Sequence, residues 1–290
     1  MNPLLFTYEA LGTHWKITVW DELSSEQWTA LKDKISQIST EFDQTYSRFI
    51  KTSLVWQLTQ KRGVITVPSD FMAMLTWYQK LYVPSYKKLN PLVGFTLSDL
   101  GYDATYSLTP QASVRPTPDL NTAVRVIDQN HIELTESVLF DFGALGKGYL
   151  VDKIAELLKN SGLKQYLVDG SGDINYQGNG APIRLGLEDP GDPTKVIGVL
   201  EMTKGALCGS GTNRRQWAGY HHIIDPDTKN STTDIIAAWV LSDSATISDA
   251  LATALFLAEP ERFSSFKFDY CLLNKDYKIK RSAGFTAELF

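Results

Sequence analysis

Residues 141–158 read DFGALGKGYLVDKIAELL. Gly143, Gly146, Gly148 and Lys147 stand between the acidic Asp141 and a run in which Leu150, Val151, Ile154, Leu157 and Leu158 recur at helical spacing. Gly162 follows where a C-terminal cap belongs. Small residues at a helix start let backbone N–H groups approach an anion, and the helix points its positive end at it. Familiar phosphate motifs nevertheless fail. A P-loop needs G-x-x-x-x-G-K-[ST], but Asp141 occupies the first glycine position and Gly148 the hydroxyl position. The dinucleotide fingerprint G-x-G-x-x-G breaks at Val151. Two other small-residue stretches break the same way, GSGDIN at Asn175 and GSGTNR at Arg214. The turn is an anion site of another kind or a packed strand-to-helix corner.

Outward from it, long helices alternate irregularly with hairpins. HWKITVW (14–20) alternates like a strand. A helix is predicted over about 24–44, with Trp28, Leu31, Ile35, Ile38 and Phe42 on one face, and another over about 70–83. Residues 89–108 are punctuated by Gly and Pro and read mainly as loop. AVRVID-QN-HIELT (123–135) and FDYCLLNKDYKIKRS (268–282) read as hairpins. Strands are predicted within 165–177, 181–189, 196–202, 219–226 and 235–243, and a helix over 246–258. The pattern predicts an α+β fold, a single large domain over 1–290 with a mostly antiparallel sheet packed by helices.

The chain has 290 residues, 43% hydrophobic and 21% charged, enough apolar content to fill a core. Net charge is −5 with no run of basic residues, which argues against nucleic acid as a partner. Cys208 and Cys271 have no metal-ligand spacing and read as reduced, buried thiols. No stretch reaches the ~18 apolar residues of a membrane span. The first residues lack the pattern of a signal peptide, so the expected location of the chain as given is cytoplasmic.

Three further clusters carry chemistry. GSGTNRRQW (209–217) is a second small-residue loop, bearing Arg214 and Arg215. HHIIDP (221–226) sets His221 and His222 before Asp225; as a strand it would point the two rings to opposite faces. In SDALATA (248–254), Asp249 and Thr253 share a helix face opposite Leu251, Leu255 and Ala258. Their oxygens suit magnesium. The bland alternative is a capping box formed by Thr246 and Asp249.

Taken in order, these stretches resemble the FAD:protein FMN transferases, the ApbE flavin transferase family. ALGTHWKITVW resembles its opening M-G-T strand, YSRF its Y-S-R-F segment, and DFGALGKGYLVD its D-L-G-G-x-x-K-G-Y-x-x-D motif. YLVDGSGDI is similar to N-x-G-G-D-I, GLEDP to G-I-x-D-P, GSGTNRR to T-S-G-x-x-R, HHIIDP to H-I-I-D-P, and ATISDALATALFLA to A-x-x-A-D-A-L-A-T-A.

The resemblance implies FAD as substrate, Mg²⁺, attack on the pyrophosphate, transfer of FMN to a Ser/Thr hydroxyl of an acceptor protein, and release of AMP. It implies that Asp141 and Lys147 contact the flavin nucleotide. Leu11, Phe49, Leu89, Asn90 and Ile223 would line the FAD pocket, and the Ala144 backbone oxygen, Asp249 and Thr253 would hold the metal. His222 would act as base with Asp225 nearby. On this basis the rate should rise through an ionisation near neutrality. Loss of Lys147 should weaken FAD binding by ~1.5–3 kcal/mol, the worth of one charge-assisted hydrogen bond. Two positions depart from the pattern: Leu11 replaces Met, and Ser171 replaces a glycine whose absence could crowd a backbone approach. An FAD pyrophosphatase and a non-enzymatic FAD-binding carrier share much of this pattern, although His222, Asp249 and Thr253 together count against the carrier.

Overall fold

The computed structural model describes residues 2–290. Its helices are α1 (Ser25–Tyr46), α2 (Leu54–Leu58), α3 (Ser69–Tyr82), α4 (Gly94–Asp99), α5 (Leu120–Ala123), α6 (Gly146–Asn160) and α7 (Ala245–Ala254). Helix α1 opens with a capping box, Ser24 and Gln27 satisfying each other's backbone N–H groups. It buries Leu31, Ile35, Ser39, Phe42 and Tyr46, one stripe at helical spacing. Helix α6 closes in a Schellman turn. Gly162 takes φ +84°, its N–H donates to the Lys159 carbonyl, and Leu163 N–H donates to the Leu158 carbonyl.

The main sheet has eight strands, every neighbouring pair antiparallel. In spatial order they are Leu4–Ala10, Thr13–Val19, Tyr166–Asp169, Asp173–Gln177, Lys204–Gly211, Ile235–Ser242, Asp269–Asn274 and Ile279–Arg281. Alternation explains how one sheet serves two cores. Ala206, Cys208, Ala238, Val240 and Leu272 join the helices in the large core. Their neighbours Leu207, Ala237, Trp239, Cys271 and Leu273 face the other way. There they meet Leu187 and Leu200 of a three-stranded sheet built from Ile183–Asp189, Asp192–Met202 and Glu288–Leu289. A second small sheet holds Gly63–Thr66, His131–Leu134 and Val124–Val126. Among the described residues no helix is long and apolar enough to cross a membrane.

The α+β reading with a large antiparallel sheet is therefore what the chain adopts. Three local expectations change. Residues 209–211, read as loop, end the strand Lys204–Gly211, where Gly209 faces Trp239 across the ladder and a Cβ would lie 3.1 Å from the indole. Within 219–226 no continuous strand forms: Tyr220–His221 pairs with Gln216–Trp217, and Ile224–Asp225 pairs with Asn230–Ser231. The loop over 89–108 contains α4.

Candidate functional site

A cavity of about 580 Å³ opens where α6, α7, the end of Lys204–Gly211 and the 220–225 ribbon converge. That volume is in the range of small-molecule and cofactor sites.

The glycines of the opening stretch serve different purposes. The Gly143 N–H donates to Asp141 Oδ1 at 2.6 Å, closing the turn. Gly148 sits where α6 meets α7: a Cβ there would lie 2.7 Å from Asp249 Cβ and closer still to the Ala245 carbonyl. Its N–H donates to Asp249 Oδ2 at 2.9 Å. One more residue on α6 fixes this crossing. Asp152 accepts from the hydroxyls of Ser244 and Thr246 and from the N–H groups of Ala245 and Thr246 (2.6–2.9 Å), capping α7 from outside.

That arrangement removes the capping-box reading of Asp249. Ser244 is the N-cap, Thr246 lies inside the helix, and its hydroxyl is turned to Asp152. Asp249 is 3% exposed and faces the cavity wall. Burial, then the nearby charge of Asp173, push its carboxyl up to about 7, against the pull of Lys147. Thr253 Oγ1 lies 3.3 Å from Ser210 Oγ.

Lys147 does not reach freely into the cavity. It is ion-paired to Asp173, which is wholly buried and whose Oδ1 has no hydrogen-bond partner. Burial alone would lower the lysine's pKa, but the carboxylates of Asp173 and Asp249 outweigh it and raise the ammonium above its ordinary value. Lys147 thus neutralises a buried carboxylate as well as lining the cavity. Asp141 is likewise engaged, with Arg48 Nε on Oδ2 at 2.5 Å. Arg48 is buried and also donates to the Tyr102 carbonyl at 2.6 Å.

The two histidines part as expected, though through a broken ribbon. His221 is buried; its Nε2 bonds the Thr232 carbonyl at 2.7 Å and its Nδ1 accepts from Ile223 N–H at 3.3 Å, which fixes its tautomer. His222 lines the cavity, and its Nδ1 is buried without a hydrogen-bond partner. Burial first, then the positive charges of Arg215, His221 and Lys147, lower it to about 3. In the free protein this direction carries its ionisation below the neutral range expected from the sequence.

His222, Ile223, Leu89, Asn90, Asp141, Ala144, Lys147, Asp249 and Thr253 all line this cavity. Leu11, Phe49 and Asp225 do not. Leu11 sits at φ +53° in the tight turn before Gly12 and Thr13, which do line it. Phe49 stacks on Tyr106 at 5.0 Å, behind Tyr102. Asp225 is ion-paired at 2.6 Å to Lys88, which lines the cavity. Ser171 takes φ +62° on the rim, a left-handed conformation natural to the glycine it replaces. Sequence reasoning missed Arg48, Asp152 and Asp173, and named Arg215 without a role. Each lies in or beside a quoted motif, but only the fold shows which charges meet.

The donor set suits a hard cation. Asp249 is a buried carboxylate whose ionised form burial and the nearby Asp173 disfavour, and Asp173 Oδ1 is a buried oxygen in want of a partner. Among the described residues no three His, Cys, Asp or Glu side chains gather as a metal cage. Neutral oxygens and the ligand's own phosphates would have to complete a shell, as is usual for magnesium.

The ApbE family model matches residues 11–267. The FAD:protein FMN transferase of Escherichia coli (strain K12) is 23% identical over 274 residues, covering 88% of this chain and 78% of that one. The protein of the same name from Treponema pallidum (strain Nichols) is 31% identical over 188 residues, 57% of this chain and 52% of that one. Among solved structures, the ApbE protein of Thermotoga maritima superposes with a TM-score of 0.86 at 22% identity, covering 98% of both chains. The flavin transferase ApbE from Vibrio cholerae gives 0.81 at 22% identity, again over 98% of each. With the family's motifs gathered on one cavity and its model matched over most of the sequence, the chain belongs to the ApbE family.

Proposed function

We propose that the chain is an FAD:protein FMN transferase, acting as one domain over residues 1–290. It moves FMN from FAD to a Ser or Thr hydroxyl of an acceptor protein and releases AMP. The observation that carries this reading is His222: an imidazole with an unpartnered buried nitrogen on the wall that also presents Asp249, Thr253 and Lys147. The relatives named as FAD:protein FMN transferases support it.

In the transfer, the acceptor oxygen bonds to the phosphorus on the FMN side. The anhydride P–O bond breaks and its electron pair leaves on AMP. The hydroxyl proton passes to His222, which then returns it to solvent. The phosphates' negative charge raises the imidazole's basicity from its low value in the free protein. Asp249, Thr253 and the Ala144 carbonyl would hold Mg²⁺, which when bound supplies charge neutralisation of the pyrophosphate. Lys147 and Asp173 keep the wall beside it rigid and charge-balanced. Leu89, Asn90 and Ile223 provide surface for the dinucleotide.

Incubation with FAD, Mg²⁺ and a candidate acceptor, followed by mass spectrometry, tests the reading. The expected result is an acceptor carrying FMN, with AMP released in equal amount. Free FMN and AMP with no labelled acceptor would instead identify a pyrophosphatase. Bound, intact FAD would identify a carrier.

A further inference from the structure

The cations around the cavity are almost all spoken for. Lys88 pairs with Asp225, Lys147 with Asp173, Arg214 with Glu188, and Arg48, just behind the wall, with Asp141. Arg215 is the exception. It lines the cavity, and among the described residues its side chain makes neither an ion pair nor a hydrogen bond. The backbone that carries it is nevertheless anchored. The loop that carries it is anchored on one side by Thr212 N–H on the Ile236 carbonyl at 3.0 Å. On the other side Gln216–Trp217 pairs with Tyr220–His221. Next to it, Arg214 is held to Glu188 at 2.6 Å. The guanidinium carbon stands 6.0 Å from the centre of the Tyr102 ring, which stacks on Trp217. The Trp217 Nε1–H in turn donates to the Leu100 carbonyl at 2.7 Å.

A lone guanidinium on a concave wall lacks only an anion. Its planar fork matches two oxygens of one phosphate, a geometry an ammonium cannot reproduce. Arg215 shares the cavity lining with both His222 and Asp249. An anionic group lying against Arg215 would therefore lie within reach of His222 as well.

We propose that Arg215 is a further catalytic residue, gripping the non-bridging oxygens of the phosphate that is attacked, beside His222. This rests on the transferase reading. As the acceptor oxygen bonds to phosphorus and the electron pair departs with AMP, charge builds on those oxygens, and among the described residues Arg215 is the one unpaired cation on this wall to meet it.

The test uses the full chain and two readouts. Arg215→Gln should lower kcat by ~10²–10³-fold, the usual scale for losing one such donor, with a smaller change in the KM for FAD. Arg215→Lys should recover only part of that loss. Separately, calorimetric titration of the chelator-treated protein with inorganic pyrophosphate should show binding weakened by about tenfold or more in Arg215→Gln, the loss of one charge-assisted contact. The remote control Arg184→Ala should match wild type. Equal kcat and equal pyrophosphate affinity in Arg215→Gln overturn the proposal while leaving the transferase reading intact. If wild type transfers no FMN yet loses pyrophosphate binding with Arg215, the anion subsite stands and the transferase reading falls. Full recovery by Arg215→Lys would mean that any positive charge suffices and that no fork is formed.

Discussion

The backbone N–H of Gly148 donates to Asp249 Oδ2 at 2.9 Å, joining the first turn of α6 to the middle of α7. This gives Gly148 a packing role. The helix start does point amides at a negative charge, but one of them is taken by a carboxylate of the protein itself. The glycine is there because two helices touch, and the site is built at their contact.

Gly148→Ala should therefore be costly. Its Cβ would fall 2.7 Å from Asp249 Cβ, and α7 would have to move. Overpacking of this kind costs roughly 1–3 kcal/mol. Gly146→Ala should be neutral or stabilising by up to about 1 kcal/mol, since Ala is the better helix former. The nearest atom to that Cβ is 3.7 Å away. Urea denaturation of both variants decides; equal stabilities would mean that the helix contact is not tight.

Lys147→Met should unfold the protein more than it reports on ligand binding. It leaves Asp173 buried and uncompensated, a situation that costs about 3–5 kcal/mol. The double variant Lys147→Met/Asp173→Leu should regain most of that stability, with FAD affinity measured only then. A single variant as stable as wild type would show that Asp173 is not charged in the fold.

Asp225→Asn should act on binding, not on the chemical step. Asp225 holds Lys88 at 2.6 Å and caps its own turn through Asp227 N–H at 2.9 Å. Steady-state kinetics should show the KM for FAD raised by up to ~10-fold with kcat nearly unchanged, the pattern of lost uniform binding. A kcat loss as large as that of His222→Ala would place Asp225 in the chemistry after all.

What could be read without the fold followed from local signals. The stripes of α1 and α6, the Gly162 cap and the 123–135 hairpin are written in spacing and turn residues, so they were visible. The strand Lys204–Gly211 was hidden in part because its last residues are small. Gly209 pairs with Trp239 and leaves room for its indole, a cross-strand fact that no local pattern contains. The site followed the same rule. Asp249 and Thr253 lie one helical turn apart and could be paired by eye. Lys147 and Asp173, or Arg48 and Asp141, are joined only by the sheet and helices between them. For the same reason the burial of His222, and with it the position of its ionisation, was not legible.

His222 carries the last prediction. Its folded pKa is about 3, against 6.5 for an ordinary histidine, through burial and the charges of Arg215, His221 and Lys147. Between those values the unfolded chain binds the proton that the folded protein refuses. This contribution to stability is present above 6.5 and is lost as pH falls towards 3. His222→Gln should therefore flatten the stability–pH curve across that window. His221→Gln should flatten it too, because burial also lowers His221, and should in addition cost the bonds to Thr232 and Ile223. In catalysis the order reverses: His222→Ala should lower kcat by on the order of 10²–10⁴-fold, the range of a general base, and His221→Ala much less. In kcat/KM, which reports the free enzyme, no limb from His222 should appear between about pH 6 and 8. In kcat, the bound phosphates should bring its ionisation upward, towards the ordinary value. If kcat/KM shows a limb near neutrality that His222→Ala removes, then His222 is not desolvated before the substrate arrives.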